Sequence, residues 1–150
     1  MKNKKLLLGI AWAWLTCLSA NAEVKLPAFF SDGMVMQQQT RANLWGTATP
    51  DAPVKITTSW DKQTYKTTAD AKGAWKLALS TPSAGGPYTI TFDDGKLTEI
   101  RDILMGELWL CSGQSNMEMP MKGFKNQPVE NSNTDVMTSR NPQLRLFTVK

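Results

Sequence analysis

The spacing of apolar residues changes once along this chain, near Met105, and that change limits what it can fold into. Before it, Ala74-Trp75-Lys76-Leu77-Ala78-Leu79 and Tyr88-Thr89-Ile90-Thr91-Phe92 alternate with period two. Such alternation belongs to strands with one buried and one wet face. After it, Leu108-Trp109-Leu110-Cys111 is a continuous apolar run, as expected of a strand covered on both faces in a parallel sheet. The spacing predicts short strands over 34–38, 44–46, 54–60, 64–68, 74–80 and 87–92, separated by turn formers such as Ser31-Asp32-Gly33, Asp70-Ala71-Lys72-Gly73 and Asp93-Asp94-Gly95. The expected fold is mainly β: an antiparallel β-sandwich over 23–105, then the first βαβ unit of an α/β domain over 106–150. In that unit the strands are 108–111 and 144–149. The helix is 133–140, with Asn133 as N-cap and Asn141-Pro142 as the stop.

Residues 1–22 read as a secretory signal. Lys2, Lys4 and Lys5 precede an apolar stretch, and Ala20-Asn21-Ala22 supplies a cleavage site before Glu23. The stretch is shorter than the ~20 residues a membrane span needs. Trp14-Leu15-Thr16 before Cys17 fit a lipid-attachment box poorly. The expected location is therefore the periplasm or the extracellular space, with neither a stable span nor a lipid anchor. Of the 17 basic residues three lie in the leader, leaving 14 against 13 acids. A balance so near neutral leaves no basic patch for nucleic acid. Cys111 is then the one remaining cysteine, so no intrachain disulfide is expected, and its apolar neighbours suggest a small core residue. With no histidine in the chain, metal ligation has no support, and no cofactor motif is present.

A serine stands where a nucleophile would sit. The run ends in Ser112-Gly113, and Gln114-Ser115-Asn116 follows. At a turn just past a strand, the Ser115 hydroxyl would point outward and its own N–H would face a developing oxyanion. Gly113 serves the turn, Gln114 fixes the loop, and Met117 in place of a second glycine excludes the G-x-S-x-G elbow.

The segment GELWLCSGQSNMEMP (106–120) resembles the first conserved block of SGNH-type hydrolases, in the form used by sialate O-acetylesterases. LPAFFSDGMVMQQ (26–38), LWGTATPDAPVKI (44–56), TTADAKGAWKLAL (67–79), AGGPYTITF (84–92) and NPQLRLFTV (141–149) resemble other segments of that family in order and spacing. GQSNM alone is shared with acetylxylan esterases; the upstream segments narrow the likeness to the sialate type. The resemblance implies an SGNH-like hydrolase domain with Ser115 as nucleophile and an O-acetylated sialic acid, or another acetylated glycan, as substrate. It also implies a histidine in a later Asp-x-x-His segment and an oxyanion hole completed by a later glycine and asparagine, so Asn116 is not that asparagine.

Of that set only Ser115 maps onto this chain. A serine is a weak nucleophile without a base. Lys122 and Lys125 sit in a polar loop where a lysine stays protonated. Glu107 is expected to hydrogen-bond backbone, and Glu118 to be solvated. Met117, Met119 and Met121 are expected to pack under the loop, and Trp45, Trp60 and Trp75 to pack in the core rather than form a sugar-stacking platform. Three functions follow as expectations. The chain is the N-terminal part of a sialate O-acetylesterase, inactive alone for want of a base; or of an esterase for another acetylated sugar such as xylan; or a non-catalytic β-sandwich that binds carbohydrate or protein. Residues after Met105 are expected to be poorly ordered without strand partners.

Overall fold

The computed structural model describes residues 23–149; the leader read from 1–22 lies outside them. Alternating residues with buried apolar side chains produce seven strands: β1 (Val35–Gln37), β2 (Arg41–Thr47), β3 (Pro53–Thr58), β4 (Thr64–Thr68), β5 (Ala74–Ser80), β6 (Gly85–Asp93) and β7 (Leu97–Gly106). Two short helices follow, α1 (Ser115–Glu118) and α2 (Ser132–Thr138). One sheet has the order β1-β7-β6-β3-β4, and β2 pairs with β5 in a second. All pairings are antiparallel except β1 on β7, which is parallel.

The two sheets share one core. Leu44 from β2 and Trp75 and Leu79 from β5 join Val54, Ile56, Ile90, Phe92, Ile100, Ile103 and Met105 in a single buried cluster. Side chains of this size contribute ~1.5–3 kcal/mol each when fully buried. In β3 every second residue is inward, ending at Thr58. The buried Thr58 hydroxyl donates to the Asp61 carboxylate, which also accepts from the Gln63 N–H at 2.9 Å and the Tyr65 hydroxyl at 2.7 Å. One carboxylate thus closes the β3–β4 hairpin. Partial burial pushes the Asp61 carboxyl up, but the hydrogen bonds it accepts, that of Thr58 first, outweigh it and hold the group below its ordinary range; the bond to Asp61 raises the Tyr65 hydroxyl.

Strand β7 is absent from the strands expected from spacing, for a physical reason. Its inward residues Ile100 and Ile103 are three apart because Arg101 and Asp102 both face outward, with Asp102 at φ 55°. This is a bulge, with one extra residue breaking the period. Tyr88 and Ile90 pair with Ile103 and Ile100, so β7 carries the extra residue there. Gly85 pairs with Met105, so β6 carries a compensating extra residue nearby. The loop before β1 pins the bulge: Gly33 N–H donates to the Arg101 carbonyl at 3.0 Å, and Arg101 N–H donates to the Asp32 carboxylate at 2.7 Å.

Beyond Gly106 the expected βαβ unit does not form. Residues 108–111 and 144–149 are not strands. Leu108, Trp109 and Leu110 are 64%, 81% and 91% exposed, and Cys111 is exposed rather than core. An interior strand gets its hydrogen bonds and cover from neighbours on both edges, and among the described residues none lies beside these segments. Helix α2 begins one residue before the expected start. Asn131 precedes it in the left-handed region (φ 58°) without a side-chain cap, a conformation asparagine tolerates. It ends two residues before Arg140, where the Thr138 and Ser139 hydroxyls donate to the Thr134 and Val136 carbonyls. The segment after α2 still touches the β region. Arg145 Nη1 reaches Asp102 Oδ2 at 2.9 Å, and the Phe147 ring lies 6.4 Å from that of Phe29. No helix among the described residues is long and apolar enough to cross a membrane.

Candidate active site

The segment carrying the serine leaves β7 through a side-chain clamp. Gln37 and Gln38, at the end of β1, donate through Nε2 to the two Glu107 carboxylate oxygens at 3.0 and 2.7 Å. The other end of each amide is also used. Gln37 Oε1 accepts from Leu108 N–H at 2.9 Å, and Gln38 Oε1 from Ala84 N–H at 2.7 Å. The Gln37 bond, then the Gln38 bond, holds the Glu107 carboxyl below its ordinary range. Glu107 was expected to bond backbone; it binds two side-chain amides instead. The signal for its partners was the run Gln37-Gln38-Gln39 directly after an apolar strand, which spacing alone does not connect to residue 107.

Past Leu108 the chain has no regular secondary structure until Gln114. A Cβ at Gly113 would come within 3.1 Å of Met117 Cγ, so the glycine permits the close approach of the turn to the helix behind it. The Gln114 carbonyl accepts from Met117 N–H at 2.9 Å, closing that turn. Ser115 opens α1 and is exposed, and Asn116 follows within the helix. Among the described residues neither the hydroxyl nor the amide of Ser115 has a hydrogen-bond partner. The serine was expected at the end of a buried strand; here the preceding residues are solvated, because among the described residues no strand lies beside them.

Among the described residues no side chain is hydrogen-bonded to the Ser115 hydroxyl. Lys122 and Lys125 are exposed, and among the described residues neither pairs with the serine. No group of three His, Cys, Asp or Glu side chains converges as a metal set among the described residues. Met117, Met119 and Met121, expected under the loop, are exposed because among the described residues no second layer lies beneath it. Two hollows among the described residues lie elsewhere. One of about 710 Å3 is lined by residues of β2, β4 and β5 and by Asp70, the other of about 290 Å3 by threonines of β3 and β6 with Ser59 and Lys62. The tryptophans divide: Trp75 is buried, Trp60 half-buried against Tyr88, and Trp45 is 42% exposed, against expectation.

No family model matches the chain. Among solved structures, a carbohydrate acetylesterase from Xanthomonas citri superposes with a TM-score of 0.71 at 31% identity, over 81% of this chain and 26% of that one. The mostly-β architecture is therefore that of part of a carbohydrate esterase. Among curated relatives, the sialate O-acetylesterase of Mus musculus is 31% identical over 141 residues, 87% of this chain and 25% of the relative. Those of Homo sapiens and Pongo abelii are each 32% identical over 126 residues, 77% of this chain and 24% of the relative. The chain belongs to the sialate O-acetylesterase family, and it spans about a quarter of the length of these relatives.

Proposed function

We propose that this chain is part of an exported sialate O-acetylesterase, with Ser115 as its nucleophile, and that the 150-residue chain does not turn over by itself. The observation that carries the reading is the GQSNM block with an open Ser115 hydroxyl and N–H, in a chain of this family. The Ser115 oxygen would attack the acetyl carbonyl. The ester C–O bond would break, the sugar oxygen would leave with the proton, and water would then release acetate from the acyl-serine. Each step needs a base to move a proton. With no histidine in the chain, none is supplied, and losing the base of a serine triad costs several orders of magnitude in rate. We read the two sheets over one core as a β-sandwich and residues from Gly106 on as the opening of an SGNH-like α/β domain. The leader at 1–22 supports delivery to the periplasm or the extracellular space.

Activity on another acetylated carbohydrate is a second reading, favoured by the carbohydrate acetylesterase that shares the fold. The test is acetate release from O-acetylated sialic acid and from acetylated xylan by residues 23–150, beside a Ser115→Ala control. No release above the control is expected. Release abolished in the variant would mean that a base other than histidine operates. Release from xylan alone, once the missing base is supplied by a longer chain, would move the substrate to the second reading.

A further inference from the structure

We propose that the outer face of the β2–β5 sheet, around Trp45, binds a pyranose ring of a glycan independently of Ser115. On β2 the inward residue is Leu44, so its neighbour Trp45 faces away from the core and stays 42% exposed. With the exposed Phe29 beside it, Trp45 makes a contiguous apolar patch rather than a single surface residue, and such patches mark binding sites. Its ring is also fixed. Phe30 packs edge-on with centroids 4.9 Å apart, and Phe29 is tilted against it at 5.3 Å. A ring already held in place loses little freedom when a ligand stacks on it.

The surroundings suit a sugar. Trp45 pairs across the strands with Lys76, while Asn43 and Thr47 face the small residues Ala78 and Ala74. Asn43, Trp45, Ala74 and Lys76 line a hollow of about 710 Å3, closed on one side by Thr67 and Thr68 at the end of β4 and by Asp70 just past it. Its size falls within the ~300–1,000 Å3 of ligand sites, and its open form suits a chain lying along it. Among the described residues the Asn43 amide and the Lys76 ammonium have no side-chain partner, leaving donors and an acceptor for ring hydroxyls. The Asp70 carboxylate is occupied through Oδ1 by the N–H groups of Lys72 and Ala74, so it shapes the rim. The apolar face of a pyranose on an indole, with hydroxyls at an amide and an ammonium, is the chemistry that the arrangement can recognise.

The test is titration of the full chain with sialyllactose and with xylotetraose, followed by NMR shifts of the Trp45 and Lys76 amides. Binding in the millimolar range to at least one glycan is expected, weakened about tenfold by Trp45→Ala. The double variant Asn43→Ala, Lys76→Ala changes only the wet face and is expected to weaken binding severalfold with the fold intact. Ser115→Ala is expected to leave binding unchanged, which separates this site from the esterase reading. Preference for sialyllactose would assign the ligand carboxylate to Lys76, whereas equal binding would assign recognition to the stacked ring; both support the site. No shift with either glycan up to about 10 mM, ten times a millimolar Kd, or binding unaffected by the double variant, would overturn it.

Discussion

Residues 24–106 and residues 107–149 contain similar apolar runs but make opposite use of them. Ile90 and Phe92 are fully buried between two sheets; Leu110 and Leu146 are almost fully in water. Local sequence does not separate them, since Leu108-Trp109-Leu110 is as apolar as any stretch of β6. What separates them is partners. Strand β6 bonds β3 on one edge and β7 on the other, whereas among the described residues the irregular segment after Glu107 is held by two glutamines at its start. A strand is thus a property of its neighbours as much as of its residues.

Four changes would break or sharpen this contrast. Phe92→Ala should cost ~3–5 kcal/mol, read as a fall in denaturation midpoint, while Leu110→Ala serves as its counterpart below. A Phe92 variant as stable as the parent would mean the core is loosely packed. Asp61→Ala should cost ~1–3 kcal/mol, because it leaves the buried Thr58 hydroxyl without an acceptor. The Asp61 carboxyl is depressed in the fold, so its contribution is present above the ordinary carboxylate range. It is lost as pH falls through the folded value, below about 3.8. Acid unfolding of the variant should therefore start from a lower baseline and show a shallower slope below pH ~4.

Glu107→Gln should leave global stability nearly unchanged but speed exchange of the Leu108 amide, by releasing the Gln37 side chain that accepts from it. Its carboxyl is likewise depressed, by Gln37 first. The clamp is expected to hold above the ordinary carboxylate range and to open as pH falls through the folded value. The same amide should therefore lose protection in acid in the parent but not in the variant. An amide equally protected in both would assign its hold to backbone contacts. The smallest effect is expected for Leu110→Ala, within ~0.5 kcal/mol. A loss of several kcal/mol there would mean that the segment is buried in solution.

Much of the β region was legible. Strands β4 and β5 have the bounds that alternation predicts, and β2, β3 and β6 differ by a few residues at their ends. β7 was hidden because the bulge at Arg101-Asp102 sets its two buried isoleucines three apart, and a period-two reading breaks there. In the candidate site, Ser115 and its glycine stood out by type and spacing. The Glu107 clamp did not, since its partners lie 69 and 70 residues away. Trp45 was misassigned because Leu44 and Trp45 are adjacent and both apolar. Either could have faced the core, and only pairing with β5 decides which does.

The sequence by itself determined the half-buried character of the β region, the lone serine of the GQSNM block and the lack of any histidine to activate it. These are matters of residue type and local period, which backbone geometry converts directly into faces and turns. Tertiary structure decided that β1 joins β7 in parallel, that a second outward residue fits into β7, and that Trp45 looks outward. It also decided that 108–111 remains an unpaired segment. Each of these depends on which backbone groups and side chains lie across from a residue, and hydrogen bonds and burial are supplied by those partners rather than by the residue alone.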